Sequence, residues 1–423
     1  MRALKRCVLR LEDWARVRNL SRLKSLALQA RAFSPNARLA AQSLHLVTWH
    51  PVRNRADMVR RTVALAARAR TPPSPTAKLT RSILLKPRIS ADERGLLLVS
   101  FEPELAKLGG LASLNELEQE YAIVFLPTWQ PFYSPALFAF AARALRPYWI
   151  MPSSREDQAL CADFGPLCRP LPFQASSWVS YALYEHLQAD KIIDVLMLAN
   201  FNSYKRHWRL FEAMRDMPAS LRVVLAGRPF GGRTAGTLLA EADAFGVRER
   251  IEIREDPSDR EVAMLLASAK VFCALSQREG SYIAIAEALM AGAPVAMFAD
   301  AVVGSREYIG PQTGWLLDPR RALGPQLLQC LETAAEPNPR QWAKTNICAE
   351  VNFPRFDALM RQDAARIGEA WTKDLTGFFC RHFEFEYLDD AAELALQPEY
   401  RSLHTRFGLE ILRPAGAARQ AHD

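Results

Sequence analysis

The sequence predicts an α/β protein built around two open, doubly wound sheets. Short apolar runs at 83–85, 96–101, 122–126 and 148–151 read as buried strands, and stretches with helical spacing at 103–119 and 134–146 separate them. Strand and helix alternating at this interval implies a parallel sheet with helices on its faces. The same alternation begins again near Asp194, and 423 residues suit two domains. Apolar content of 49% and charged content of 24% are ordinary for a soluble globular chain.

Residues 1–80 form a basic helical segment. They carry 17 Lys and Arg against three acids, a local charge of +14 in a chain whose total is +8, so the basic balance does not belong to the rest of the chain. Leu4, Val8, Leu11, Ala15, Leu20, Leu23 and Leu28 recur with arginines between them, the pattern of an amphipathic basic helix or helix pair. Two readings follow: a helix resting on an anionic membrane surface through residues 1–70, or one packed on the body with its arginines solvated. No nucleic-acid module accompanies the basic segment, so no nucleic-acid partner is expected. Arginines recur where a secretory signal needs an apolar core. The longest uncharged window, 121–142, contains Pro127, Pro131 and Pro135 and cannot be one spanning helix. Seven cysteines without a CxxC pair argue against a zinc knuckle or disulfide framework and for a reduced compartment.

After a linker-like stretch at 71–77, residues 81–190 form the first α/β region. The loop at 127–133 lies at the C-terminal end of a strand, where such sheets bind ligands. Its Trp129 and Tyr133 suit stacking on a sugar ring or packing in a domain interface. The second region, 191–335, opens with a strand at 195–199 and a loop leading to Lys205, Arg206 and a helix through Met214. A strand at 221–226 runs into Gly227, Arg228 and the flexible Gly231-Gly232 turn. A helix at 235–245, a strand at 251–253, a helix at 259–268 and a strand at 271–275 follow. A strand at 293–298 and the segment 313–319 close the region. Helices follow Pro319 near 322–334 and 355–371, and residues 336–423 read as a helical C-terminal segment. Its tail is rich in aromatics, including Phe378, Phe379, Phe383, Phe385 and Tyr387, which suit packing against the body.

The stretch 276–294, SQREGSYIAIAEALMAGAP, carries the chemistry. Glu279 and Glu287 stand eight apart. Gly280 and Ser281 read as loop and N-cap, because a serine oxygen accepts from the unpaired amides of a first helical turn. Gly292 and Pro294 stop the helix. A helix start offers N–H groups and partial positive charge to phosphate or sugar oxygens, and Glu279 sits just before it. Glu287 lies about one and a half turns in, among apolar neighbours, where a carboxylate is costly unless something polar meets it. By spacing alone, a loop acid and a solvated stripe explain the pair equally well.

Together these residues resemble the donor-binding domain of family 4 glycosyltransferases of the GT-B fold, over residues 194–319. The E-x7-E pair Glu279 and Glu287, the following ALMAGAPV, the strand-to-turn VVLAGRP, Lys205 after the first strand and the closing TGWLLDP carry the resemblance. It implies two Rossmann-like doubly wound domains, with a basic N-terminal extension and C-terminal helices around them. It implies a hexosyl transfer from a nucleotide sugar, with retention of configuration, to a polysaccharide or lipid-linked glycan on the cytoplasmic face of a membrane. Glu279 would meet the transferred sugar's hydroxyls and Glu287 the ribose. The amides of Gly280, Ser281 and Tyr282 would face the sugar and diphosphate, and Lys205 would neutralise the leaving diphosphate. Gly227 belongs to the donor-side turn, and Arg206 or Arg228 would supply a second cation. No Asp-x-Asp triplet occurs, in keeping with metal-independent chemistry without a cofactor. Three departures stand out. Ala199-Asn200 replaces the usual Gly-Arg, Tyr282 replaces the second glycine of E-G-x-G, and no histidine lies between His50 and His186. They leave open an alternative, a degenerate member that binds a nucleotide sugar or a partner without transfer.

Overall fold

The computed structural model describes residues 2–18, 36, 39, 55–68, 73–128, 132–381 and 384–412. Trp129, Phe383, Leu20, Leu23 and Leu28 therefore lie outside the described residues. The chain divides into two compact units. One comprises Met1–Asn19 and Val179–Val351, the other Leu20–Trp178 and Asn352–Asp423.

Among the described residues two helices come first, α1 (Arg2–Arg18) in the first-named unit and α2 (Arg55–Arg68) in the second. After the short β1 (Ala77–Leu79), the second unit builds a five-stranded sheet. Its strands are β2 (Ser82–Lys86), β3 (Gly95–Ser100), β4 (Tyr121–Leu126), β5 (Tyr148–Ile150) and β6 (Cys168–Pro170), in that spatial order. β2, β3 and β4 are buried at every position, which is why they read as continuous apolar runs rather than alternating ones. The sheet is parallel except at its edge, where β2 runs antiparallel to β3. The link at 87–94 is too short for the crossover that a parallel pair needs. Four helices pack here, α3 (Glu102–Gly109), α4 (Leu114–Glu120), α5 (Pro135–Ala141) and α6 (Arg155–Leu160). The single helix predicted over 103–119 is thus two, parted at Gly110, whose N–H closes back on the Ala106 and Lys107 carbonyls.

The first-named unit holds a six-stranded, wholly parallel sheet. In chain order its elements are β7 (Ile193–Leu198), α7 (His207–Met214), β8 (Val223–Gly227), α8 (Ala235–Phe245), β9 (Ile251–Glu255), α9 (Asp259–Ala267) and β10 (Ala269–Ala274). α10 (Ile283–Met290), β11 (Val295–Phe298), β12 (Gly314–Leu317), α11 (Leu323–Glu332) and α12 (Pro339–Asn346) follow. The spatial order is β12-β11-β10-β7-β8-β9. The chain therefore reverses direction between β7 and β10, the topological switch point where such sheets bind ligands outside the strands' C-terminal ends.

The chain returns to the other unit through α13 (Ala349–Arg366). The predicted all-helical C-terminus is instead mixed. β13 (Phe378–Arg381) and β14 (Glu384–Tyr387) pair antiparallel, and α14 (Asp390–Phe407) leads to β15 (Leu409–Ile411), which pairs parallel with β1. The aromatic tail packs as expected: Phe378, Phe379, Phe385 and Tyr387 are buried, and Phe378 meets Trp178 at 4.5 Å between ring centroids. Tyr387 donates to the Leu84 carbonyl at 2.6 Å, tying the hairpin to β2.

α1 settles differently from either sequence reading. Its polar side docks on the sheet unit it belongs to. Arg2 pairs with Asp243 at 2.8 Å, Lys5 and Arg6 donate to the Ala240 and Ala244 carbonyls near the C-terminus of α8, and Arg10 pairs with Glu212. Cations at a helix C-terminus meet unsatisfied carbonyls and the negative end of the dipole. The apolar side chains Leu4, Val8 and Leu11 are left 70%, 44% and 64% exposed.

Candidate active site

The loops after β7 and β10 meet at the switch point, and each brings one charge. The first folds through a short turn at Ser203–Lys205, capped by Asn202, whose Oδ1 accepts from the Tyr204 amide. The second is held from β11's side: the Glu279 amide donates to the Val302 carbonyl at 3.1 Å, and the Gly304 amide to the Gly280 carbonyl at 3.0 Å. Lys205, which is buried, forms an ion pair with the part-buried Glu279 through Nζ and Oε1. Lys205 Nζ also lies 3.7 Å from the Tyr282 ring centroid and 5.4 Å from that of Tyr204. Burial pushes the Lys205 ammonium below its ordinary value, and the Glu279 charge opposes that shift. Burial, together with Glu279, pushes the Tyr204 phenol up to about 12.

Glu279 Oε2 is buried and has no hydrogen-bond partner among the described residues. A buried carboxylate oxygen normally has one, and Oε2 is therefore able to accept from a bound hydroxyl. The site therefore presents a cation, an unsatisfied acceptor and two aromatic faces at the sheet's binding edge.

Tyr282 explains one departure from the resembled pattern. Its backbone sits in the left-handed region at φ 49°, a conformation that suits the second glycine of the resembled E-G-x-G pattern. For a side-chain-bearing residue this costs about 1–2 kcal/mol. Tyr282 offsets the cost by covering Lys205 and donating from its hydroxyl to the Leu198 carbonyl at 3.1 Å. Tyr282 is also the residue that precedes α10, so the predicted N-cap Ser281 lies one position outside it. Gly280 and Ser281 are buried beside it, and Glu287 lies within α10, 9% exposed. Gly292 takes φ 83° just past the helix, the turn predicted to end it.

Gly227 is required by close approach: a Cβ there would stand 1.9 Å from the Ala199 carbonyl oxygen, so β7 and β8 end pressed together. Arg228 is exposed and pairs with Asp256 at 3.0 Å. Arg206 is buried with its guanidinium turned to Asp13, Gln277 and the Leu275 carbonyl, at 2.9, 3.0 and 3.4 Å. Asn200 accepts from the Asn202 amide and shapes the turn. Lys205, Glu279, Gly280, Ser281 and Tyr282 are thus brought together, while the guanidinium of Arg206 is committed elsewhere.

Sequence reasoning did not single out Tyr204, Asp13 or His207. Tyr204 adjoins Lys205, which was the only sign available. His207 is buried with neither ring nitrogen hydrogen-bonded, and burial, with Arg233 and Lys205 nearby, pulls it down to about 3. It is neutral at physiological pH and packs against Phe201.

Comparison with known proteins bears on the family and the fold. Residues 185–345 match the family model of glycosyl transferases group 1. A GDP-mannose:cellobiosyl-diphosphopolyprenol alpha-mannosyltransferase from Komagataeibacter xylinus is 33% identical over 101 residues, 23% of this chain and 25% of that protein. The match thus spans about a quarter of the relative's length. The structure of Anabaena HepE in complex with UDP and glucose superposes with a TM-score of 0.50 at 15% identity, covering 72% of this chain and 81% of that one. The chain has the GT-B fold, and its residues 185–345 are similar to the glycosyl transferases group 1 family.

Proposed function

We propose that the protein transfers a hexosyl group from a nucleotide sugar to a glycan or lipid-linked glycan, with retention of configuration and without a metal or cofactor. The observation that carries this reading is the Lys205–Glu279 pair with Glu279 Oε2 left unpartnered among the described residues at the switch point. Lys205 offsets charge that develops on the leaving diphosphate, an electrostatic term realised most fully in the transition state. Glu279 Oε2 accepts from a hydroxyl of the transferred sugar and orients it. Glu287 holds the nucleotide ribose, and the Gly280, Ser281 and Tyr282 amides line the diphosphate path. In the transfer, the bond from the sugar's anomeric carbon to the diphosphate oxygen breaks. A bond to the acceptor oxygen forms on the same face, and the acceptor's proton passes to the departing phosphate.

The acceptor is argued from the mannosyltransferase that the chain resembles over 101 residues, whose name describes a mannosyl transfer to a diphosphopolyprenol-linked cellobiose. Among the described residues no helix is long and apolar enough to cross a membrane. Leu4, Val8 and Leu11 form an outward apolar stripe on α1 that suits peripheral attachment at the cytoplasmic face, where such an acceptor would lie. Because Arg2 and Arg10 pair with acids of the protein, that attachment should depend more on apolar contact than on salt. Sedimentation with anionic liposomes that survives raised salt and is lost in Leu4→Ser/Leu11→Ser supports it. Failure to sediment at low salt removes it.

The test of the activity is turnover across a panel of nucleotide sugars in the presence of EDTA, with the product's anomeric configuration read by NMR. Transfer with retention supports the proposal. Binding without transfer or hydrolysis supports the degenerate alternative, and inversion removes the retaining mechanism.

A further inference from the structure

The donor unit includes α1, more than 150 residues away in sequence from the rest of that unit, and one contact of α1 reaches the site. Asp13 Oδ2 accepts from Arg206 Nη2 at 2.9 Å, and both side chains are buried, 9% and 8% exposed. The same guanidinium donates through Nη1 to Gln277 Oε1 at 3.0 Å and the Leu275 carbonyl at 3.4 Å. Gln277 continues the chain, donating from Nε2 to the Asp300 carbonyl at 2.9 Å and accepting at its own carbonyl from the Val302 amide at 2.8 Å. Arg206 thus ties the loop after β7 to the loop after β10 and, through Gln277, to the loop after β11. It directly follows Lys205 in sequence, and Gln277 lies two residues before Glu279.

Arg206 also holds a left-handed backbone at φ 62° while preceding α7. Such a conformation persists in a residue with a side chain only where its surroundings over-determine it. Without Asp13 the guanidinium would be a buried charge lacking a counter-charge, and it would turn toward solvent or toward another carboxylate, pulling its loop with it. Both outcomes would disturb the Lys205–Glu279 pair. The rim contacts of α1, Arg2 with Asp243 and Arg10 with Glu212, keep Asp13 at its depth.

We propose that Asp13 is a positioning residue for the donor site: it fixes Arg206, and through it the spacing of the loops that present Lys205 and Glu279. The N-terminal helix is then a working part of the donor-binding unit. This inference rests on the reading of Lys205 and Glu279 as the donor site.

The experiment uses the full-length chain and the variants Asp13→Asn, Asp13→Glu and Arg206→Ala, measured well below their unfolding temperatures. Asp13→Asn should lower kcat by about 10- to 100-fold, the scale of loss that follows a ~1 Å misplacement, with a smaller change in KM. Asp13→Glu should recover part of that loss, and adding Asp13→Asn to Arg206→Ala should cost little more. Amide hydrogen exchange should accelerate in residues 203–206 and 275–279 of Asp13→Asn. Unchanged kcat together with unchanged exchange in those loops overturns the proposal. If the wild type neither binds nor turns over a nucleotide sugar, the donor-site reading fails, and the exchange measurement still decides whether Asp13 positions the loops. Should Asp13→Asn not fold, Arg2→Gln/Arg10→Gln loosens α1 from its rim. Faster exchange in the same two loops supports the proposal, and unchanged exchange overturns it.

Discussion

Each unit of this protein holds a lysine–glutamate pair, and the two pairs are finished differently. In the unit of β2–β6, Lys86 meets Glu93 at 2.7 Å and lies over the Trp371 ring at 3.8 Å. Glu93 is saturated: Oε1 accepts from the Thr372 and Lys373 amides at 2.7 and 3.2 Å, and Oε2 from the Thr372 hydroxyl at 2.7 Å. In the other unit, Lys205 meets Glu279, and Glu279 Oε2 accepts from nothing among the described residues. The same two residue types thus make a clasp where both are fully buried and an open pair where the Glu279 side chain is 13% exposed. Burial of a charge pair does not by itself signal function. An incomplete set of partners at a sheet's binding edge does.

Substitutions can break that contrast. The largest effects should come from the lysines. Lys86→Ala leaves Glu93 as a buried charge without its cation and should cost about 3–5 kcal/mol of stability, read by chemical denaturation. Lys205→Ala should leave the fold in place and cost about 2–4 kcal/mol of transition-state stabilisation, read as a fall in kcat/KM. If Lys205→Ala loses as much stability as Lys86→Ala with no kinetic effect on the folded fraction, the two pairs are of one kind. The two acids of the motif sharpen the comparison within the site. Glu279→Gln should lower kcat more than it raises KM, whereas Glu287→Gln should mainly weaken donor binding. Wild-type kinetics in both variants would remove their assigned roles.

The smallest effect is a pH dependence. Burial opposes ionisation of Glu93, but hydrogen bonds from Lys86, Thr372 and Lys373 overcome it and hold the carboxyl at about 2, below its ordinary 4.5. The folded state thus keeps Glu93 charged where the unfolded chain would bind a proton. Its contribution to stability is full above 4.5 and is lost as pH falls toward 2. Glu93→Gln should flatten the acid limb of the stability profile in that window, and an unchanged limb would show that other carboxylates set it.

Much of the six-stranded sheet was legible because strands such as β8, β10 and β11 are buried nearly throughout and alternate with helices. The run from Glu279 to Gly292 stated its own loop, helix and stop. The edge strand β2 was misassigned to a parallel sheet although the short 87–94 link favours a hairpin. β13, β14 and β15 are three or four residues each and leave too little periodicity to read. The inverted seating of α1 was hidden because amphipathic spacing marks an apolar face without saying which face a neighbour will take. Least legible was Asp13 with Arg206, since 193 residues separate the partners and a single contact has no repeat. The open valence of Glu279 was equally invisible, because a missing partner is a property of the folded site.

The most direct test of the account is a calorimetric titration of nucleotide sugars and nucleoside diphosphates into the wild type and Lys205→Ala, with thermal unfolding followed in parallel. A ligand that fills the open site should stabilise the wild type by mass action, about 2.7 kcal/mol at a hundred times Kd, and bind Lys205→Ala much more weakly. Equal binding and equal stabilisation in the two proteins would contradict the assignment of the Lys205–Glu279 pair as the donor site.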